Sequence, residues 1–559
     1  MKKNLITDFL DFDQINSHHN QYLELPVFDK NYILKKNITF HKRWNDNNKK
    51  LIDIKKNLKL YNYFLKELII FLNNYHNKNY STRYWEIILG AWLYRFISSV
   101  SFKWNLIKPL KKNKYIFLKK KINSRDVIPA GIEDATRFFF SNFWNHYIYT
   151  KIIEHSFSNK IKIKEKGKLT KNLEKKIIYQ KLLRNSIKER ISTYIQNFFN
   201  FFAKDNCTLI FSTYMSNFHE LKLNLLVNKS LLYYRLIRPY FLFRNSLILN
   251  FKRRNFNKHK LKYNGGGLKN FLSKEILNNL PSTYLENFSS VANIVDKIPF
   301  PKKPKKIFTC IGITRSTLMD RYIAKNVENG SSLILAQHGG NYFQHKLHFA
   351  SIHEVKISDK YLSWGRIKKK KLEPIGIIKN LRSSNIKSNK IILEIRMRSG
   401  YNQEIKLDSG FLESKNYLAN MCKFFSLIKG KKVCENLFVK LHEFQSFWNE
   451  KKQFLKHNSE LNFLDRNKKM INEMNSASLI IHTFFSTGHL ECLALNKPTL
   501  ILFVNDLNLL NNKSKYYIKE MIKLNIVHRT PESLLKTLES LDGSEKIKNG
   551  GISKKDKVY

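Results

Sequence analysis

Acidic residues are scarce in this chain: 44 Asp and Glu stand against 100 Lys and Arg, a formal net charge of +56 over 559 residues. Cysteine is scarcer still, with five spread along the chain at Cys207, Cys310, Cys422, Cys434 and Cys492. An odd number without paired metal-ligand spacing excludes a disulfide framework and suggests a reducing cytoplasm. No stretch approaches the roughly 18 apolar residues of a membrane-spanning helix. The nearest, residues 231–251, is broken by Arg235, Arg238 and Arg244 and reads as a buried helix or strand pair with charged edges. At the N-terminus, Asp8, Asp11 and Asp13 interrupt the apolar core that a secretory signal would need. P-loop, paired-Asp metal, GxSxG and HExxH motifs are all missing. His345, His348 and His353 lie close together but lack the helix pattern and carboxylate partners of a metal site, so no metal is expected.

The basic excess invites a nucleic-acid reading, because clustered Lys and Arg displace counterions from phosphate backbones. Here it is spread over the whole chain, alongside abundant Asn, Ile, Phe and Tyr, all of which have AT-rich codons. No helix-turn-helix, zinc-finger or RNA-platform signature accompanies it. Nucleic acid is therefore not expected as a partner, whereas attraction to anionic membrane surfaces or anionic sugars fits the charge.

With 43% hydrophobic residues the chain can bury large cores and is too long for one ordinary domain. Its first half reads as mainly helical, with apolar residues at three- and four-residue spacing in 60–74, 85–99 and 174–203. Phe138, Phe139, Phe140, Phe143 and Trp144 form an aromatic cluster of core type. A basic stretch, 251–263, runs into Gly265-Gly266-Gly267, a surface-loop signal. After a Pro- and Lys-rich connector at 298–306 the pattern changes. Short apolar runs at 307–311, 332–336, 391–395, 437–441, 479–481 and 499–503 alternate with helical stretches, which implies parallel sheets with crossover helices. A boundary is expected between Ile375 and Asn389, and the charged tail after Asp542 reads as disordered.

The densest signal is residues 479–503, LIIHTFFSTGHLECLALNKPTLILF: buried strand, polar turn, short helix, second buried strand. Thr483, Ser486, Thr487 and Gly488 bring hydroxyls and a permissive backbone to the start of the helix, where free N–H groups attract anions. The same residues are ordinary helix caps, and both readings stand. Glu491, one turn in, would repel a phosphate but could accept hydrogen bonds from ribose hydroxyls. A second strand, 332–336, ends in Gln337-His338-Gly339-Gly340, whose glycines allow close backbone approach. The turn also sets His338 at the sheet's carboxyl edge, where it could act as a base. A third delivers Lys440 and His442, cations that could neutralise a diphosphate leaving group or could simply be a solvated strand end.

Several blocks in order, Leu72-Asn73, His76, Arg83-Tyr84-Trp85, Ile87-Ile88, Gly90 and Trp92-Leu93, then Gln337-His338-Gly339-Gly340, then Ser486-Thr487-Gly488 through Glu491, Ala494, Leu495, Asn496, Pro498 and Thr499, resemble a family of transferases of bacterial surface-carbohydrate biosynthesis. The last two blocks also look like those of capsule polysaccharide and Kdo transferases, which have two Rossmann-like domains facing across a cleft, the GT-B arrangement. The resemblance implies a nucleotide-sugar donor, used as co-substrate without a further cofactor, held mainly by the C-terminal domain. The acceptor would lie on the N-terminal side. Two departures stand out: the family's early Gly-Glu-Trp-Cys turn is not evident before Leu72, and His442-Glu443 stands where relatives often carry His-Pro.

The combined expectation is an α/β, GT-B-like glycosyltransferase with a large, mainly helical N-terminal portion. Residues 1–380 would hold that portion and an acceptor-side domain, 381–542 the donor domain, and 543–559 a disordered tail. Ser486, Thr487 and Gly488 would hold donor phosphate, Glu491 the ribose, and Lys440 with His442 the leaving-group charge. His338, in its turn with Gln337, Gly339 and Gly340, would serve as base or acceptor contact, and Thr483 would line the donor site. Expected partners are a nucleotide-sugar donor and a sugar or lipid-linked acceptor, with the protein in the cytoplasm and peripheral at the inner membrane. A CDP-glycerol-type polyol-phosphate transferase is the nearest alternative enzyme, and a basic nucleic-acid-binding protein the alternative from another class.

Overall fold

The computed structural model describes residues 3–6, 20–22, 39–40, 47–139, 141–168, 194, 198, 205–229, 261–263, 265–298, 300–367, 370–379, 381, 388–395, 414–442, 450–468, 470–485, 487–504 and 506–542. The expectations for 231–251, 251–260 and the 543–559 tail, most of the proposed 174–203 helix, Phe140 and Ser486 fall outside these residues.

Strands β1 (Lys3–Ile6), β2 (Asn20–Tyr22), β3 (Thr39–Phe40), β4 (Tyr115–Lys121) and β5 (Ile161–Lys168) form a parallel sheet in the order β3-β2-β1-β4-β5. This sheet is a finding that the helical reading of the first half did not include. The helices of that half are present as well: α1 (Asn47–His76) and α2 (Thr82–Ile107) pack together. Helix α2 is buried nearly all round, with Trp85, Trp92, Leu93 and Phe96 wholly enclosed, the pattern of a helix at the centre of a large core. Burying each such side chain favours folding by about 1.5–3 kcal/mol. A short helix, α3 (Ile132–Phe138), follows, and Phe139, Phe143 and Trp144 beyond it are core residues.

The first resemblance block turns out to be a joint between this region and the next. Ser81 caps α2 through its Oγ, and the Arg83 guanidinium grips Asp359 with two bonds of 3.0 and 2.8 Å while its Nε reaches the Ile357 carbonyl at 2.7 Å. Such forked contacts fix orientation as well as distance. Trp85 Nε1 donates to Asn73 Oδ1 at 2.7 Å, tying α2 to α1. Gly90 leaves room for His353, whose Cε1 would lie 2.3 Å from an added Cβ.

The second sheet holds β6 (Thr208–Ile210), β7 (Lys306–Thr309), β8 (Ser332–Ala336), β9 (Lys360–Ser363) and β10 (Leu372–Pro374), all parallel, in the order β10-β9-β8-β7-β6. Helix α4 (Thr317–Glu328) follows β7, and α5 (Phe349–Ile357) links β8 to β9. The third sheet holds β11 (Ile391–Ile395), β12 (Leu437–Leu441), β13 (Asn462–Phe463), β14 (Leu479–His482), β15 (Thr499–Leu502) and β16 (Val527–His528), in the order β13-β12-β11-β14-β15-β16. All its pairings are parallel. Helices α6 (Ser414–Ile428) and α7 (Thr487–Ala494) belong to this part. Parallel sheets need helical cover on both faces, and their strands here are apolar runs such as IILEI and LIIH. The second and third sheets build two Rossmann-like domains that face each other in a GT-B-like arrangement, preceded by the helical portion with its own sheet. Among the described residues no helix is long and apolar enough to cross a membrane. None of the five cysteines is in a disulfide.

Candidate functional site

In open parallel sheets ligands gather beyond the carboxyl ends of the strands. There the turn after β8 meets the start of α7: the Gly340 amide donates to Thr487 Oγ1 at 3.2 Å. Gly339 stands beside it, with Thr487 Oγ1 3.5 Å from where a Cβ would be. Turns on two different sheets, 147 residues apart in sequence, thus touch.

Residues of the β8 turn divide into holders and presenters. Gln337 is buried and spans the turn: its Nε2 donates to the Gly339 carbonyl at 2.8 Å, and its Oε1 accepts from the Trp364 amide at 3.0 Å. Its task is to shape the loop. His338 is half-buried, with Arg315 Nη2 3.3 Å from its Nε2 and Tyr342 Oη 3.1 Å from each ring nitrogen. Tyr342 Oη donates to Glu354 Oε1 at 2.7 Å, and Tyr361 Oη donates to Glu354 Oε2 at 3.0 Å. The Tyr214 ring lies roughly parallel to His338, centroids 6.3 Å apart, on a backbone with φ of 67°. Such a φ is uncommon for a non-glycine residue and marks a constrained turn.

On the other side, Gly488 lets the first turn of α7 sit directly over two buried side chains that the sequence reading did not single out. A Cβ there would lie 2.8 Å from Glu394 Oε2 and 3.0 Å from His482 Cε1. Glu394 and His482 are register partners at the ends of β11 and β14, which sets them side by side on one face; His482 Nδ1 lies 2.7 Å from Glu394 Oε2. The signal was a charged or imidazole residue within each apolar strand, overlooked because each strand otherwise reads as a continuous buried run.

Four other candidates have identifiable structural partners. The Thr483 hydroxyl is buried, bonded to Tyr417 Oη at 2.5 Å and donating to the Glu394 carbonyl at 2.9 Å, so it holds β14 to β11 and α6. Lys440 sits on the same rung as Glu394, but its Nζ donates to the carbonyls of Asp465 and Lys468, at 2.5 and 2.8 Å, and so stitches the loop after β13. Those carbonyls take up a buried ammonium. His442 is half-buried just past β12, and its carbonyl accepts from Arg466 Nη1 at 2.9 Å. Glu491 is buried and paired with the Lys379 ammonium. That ammonium also lies 5.0 Å from the centre of the Tyr214 ring, bringing a cation to the meeting of the two turns. Arg315 and Lys379 were both missed, since each lies in a loop with no flanking pattern.

The three neighbouring histidines do separate jobs. His348 Nδ1 accepts from the Ser351 amide at 3.2 Å and caps α5, while His353 stacks on Phe349 at 5.4 Å. Burial pushes His345 down to about 4 and His353 down to about 3. Among the described residues no group of three His, Cys, Asp or Glu is placed to hold a metal ion.

Comparison with solved structures finds MurG of Acinetobacter baumannii at 10% identity and a TM-score of 0.33, over 62% of this chain and 93% of that one. It also finds the UDP-GlcNAc 2-epimerase of Neisseria meningitidis bound to UDP-GlcNAc, at 11% identity and a TM-score of 0.30, again over 62% and 93%. Overlap that loose transfers no active site. No curated protein matches the chain. The family model of the LIC12162 family transferases matches residues 20–541, which takes in both facing turns, and the chain belongs to that family.

Proposed function

We propose that this transferase is a glycosyltransferase that moves a sugar from a nucleotide-activated donor to a hydroxyl of a surface-polysaccharide or lipopolysaccharide acceptor. The observation that carries the reading is the hydrogen bond between Gly340 and Thr487, which brings a histidine turn and a helix N-terminus to one place. A donor diphosphate fits the start of α7, where backbone N–H groups and the Thr487 hydroxyl can meet its charge, with Gly488 allowing close approach. Arg315 and Lys379 are the cations nearest that meeting point and take the leaving-group role, with no metal invoked. Glu491 would hold the ribose through the oxygen that Lys379 leaves open, and His442 remains a candidate contact at the end of β12.

In the proposed reaction the acceptor hydroxyl gives its proton to His338 as its oxygen bonds to the anomeric carbon. The bond from that carbon to the diphosphate breaks, and the electron pair leaves with the nucleotide. Residues 381–542 would carry the donor and residues 1–380 the acceptor. A lipid-linked acceptor would bring the protein to the anionic inner membrane face.

Calorimetry across UDP-, GDP-, CMP- and CDP-linked donors tests this. Binding of one class, weakened at least about tenfold in Thr487→Ala, supports it, since a lost hydrogen bond to a charged group costs about 1.5–3 kcal/mol. No binding by any donor, with Thr487→Ala and His338→Ala indistinguishable from wild type, would sink it. Turnover of CDP-glycerol alone would reassign the chain to polyol-phosphate transfer.

A further inference from the structure

Tyr342 is buried and touches polar groups on two sides, which restricts where its one hydroxyl proton can go. The 2.7 Å bond to Glu354 takes it, so towards His338 the phenolic oxygen can only accept. Arg315 is a donor without acceptor capacity, and its Nη2 lies 3.3 Å from His338 Nε2. The phenolic oxygen lies 3.1 Å from both ring nitrogens, but Arg315 meets Nε2 alone, so Nε2 is assigned the lone pair and Nδ1 the hydrogen that Tyr342 accepts.

Glu354 sits on α5 beneath this contact, 3% exposed, each carboxylate oxygen accepting one tyrosine hydroxyl. Burying a carboxylate costs several kcal/mol unless it is well bonded, and a phenylalanine at 342 would leave Glu354 buried with one hydroxyl fewer. The chain of imidazole, phenol and carboxylate has the parts of a base-orienting relay, with a tyrosine inserted between histidine and acid.

We propose that Tyr342 and Glu354 are positioning residues that hold His338 as its Nδ1–H tautomer and stabilise its imidazolium, leaving Nε2 to take the proton of the acceptor hydroxyl. This rests on the reading of His338 as the base. When the acceptor displaces Arg315 from Nε2, the hydroxyl proton moves to Nε2. The new positive charge is balanced through Tyr342 by Glu354, and no oxidant, reductant or further co-reactant is needed. The ring later returns the proton to solvent.

Nitrogen NMR of the full-length protein labelled at histidine, with the His338 signals identified by their loss in His338→Gln, reads the tautomer without any substrate. The relay predicts a protonated Nδ1 and an unprotonated Nε2 in wild type. Tyr342→Phe and Glu354→Gln should shift His338 towards the Nε2–H form and lower its titration midpoint by about one unit. Tyr361→Phe, which removes the other hydroxyl from the same carboxylate, should leave the His338 tautomer unchanged. With a donor in hand, kcat of Tyr342→Phe should fall about a hundredfold at unchanged KM, and the acid limb of its pH profile should move to lower pH. An Nε2–H signal in wild type, or spectra unaltered by Tyr342→Phe, overturns the relay. A relay seen by NMR in a protein that binds no donor leaves the relay standing and removes the glycosyltransferase reading instead.

Discussion

A Cβ added at Gly488 would overlap the Glu394 carboxylate and the His482 ring at once, and neither can retreat, because both are buried and bonded to each other. Gly488→Ala should therefore cost about 1–3 kcal/mol of stability, the range for overpacking a filled site. It should also lift the start of α7, so that both the denaturation midpoint and affinity for a nucleotide diphosphate fall. A fully stable Gly488→Ala protein would show that the turn has slack. His353 offers a different single-residue test. Its folded-state pKa of about 3 lies below the ordinary 6.5, so the unfolded chain gains a proton first as pH falls. The stability associated with a neutral His353 is complete above about pH 6.5 and is lost as pH drops towards 3, by up to about 1.4 kcal/mol per pH unit. Urea titrations between pH 7 and 5 should show a shallower pH dependence in His353→Leu than in wild type, and equal slopes would contradict the assignment.

Among the elements, α4 depends on a cap from outside itself. Glu133, in the first turn of α3, accepts from the Thr317 amide at 2.9 Å and from its hydroxyl at 2.7 Å. Ser316, the residue at the cap position, makes no such bond. Glu133→Ala should destabilise the protein by about 1–2 kcal/mol in chemical denaturation, the usual worth of a cap, whereas Ser316→Ala should be close to neutral. The elements also show what the sequence revealed and what it hid. Strands β8, β11 and β12 were legible to the residue because each is a short apolar run bounded by polar turns, which is how a strand covered on both faces must read. The N-terminal sheet was not legible, since β2 is NQY, β3 is TF, and β5 alternates lysine through IKIKEKGK with most of its length exposed. Strands that short or that polar leave no hydrophobic run. The two facing turns were legible through Gly-Gly and Ser-Thr-Gly. Arg315, Lys379, Tyr342 and Glu354 were not, because they meet only through the tertiary fold.

Across the whole molecule, charge balance at the meeting of the domains is set by Lys379 and Glu491. Removing the lysine leaves a carboxylate, only 8% exposed at its side chain, unbalanced beside the start of α7. Lys379→Ala should weaken nucleotide diphosphate binding about tenfold by electrostatic repulsion, with salt reducing the difference. Binding tighter than wild type would mean that the lysine blocks the site. The Gly340–Thr487 bond reports on the same meeting point: in Thr487→Val, amide exchange over 337–342 should quicken while that over 344–346 stays slow.

That second segment is held differently. The Lys346 amide donates to the Leu509 carbonyl at 3.0 Å, the Asn511 amide donates to the Gln344 carbonyl at 2.9 Å, and His345 pairs antiparallel with Leu510. The seam is made of main chain, which every residue but proline supplies alike. Apart from Asn511, whose side-chain amide also donates to the Phe343 carbonyl, its side chains are therefore free to drift over evolutionary time while the joint persists. A catalogue of invariant residues would pass over one of the places that tie the two halves together, and only proline at 346 or 511 would cut it.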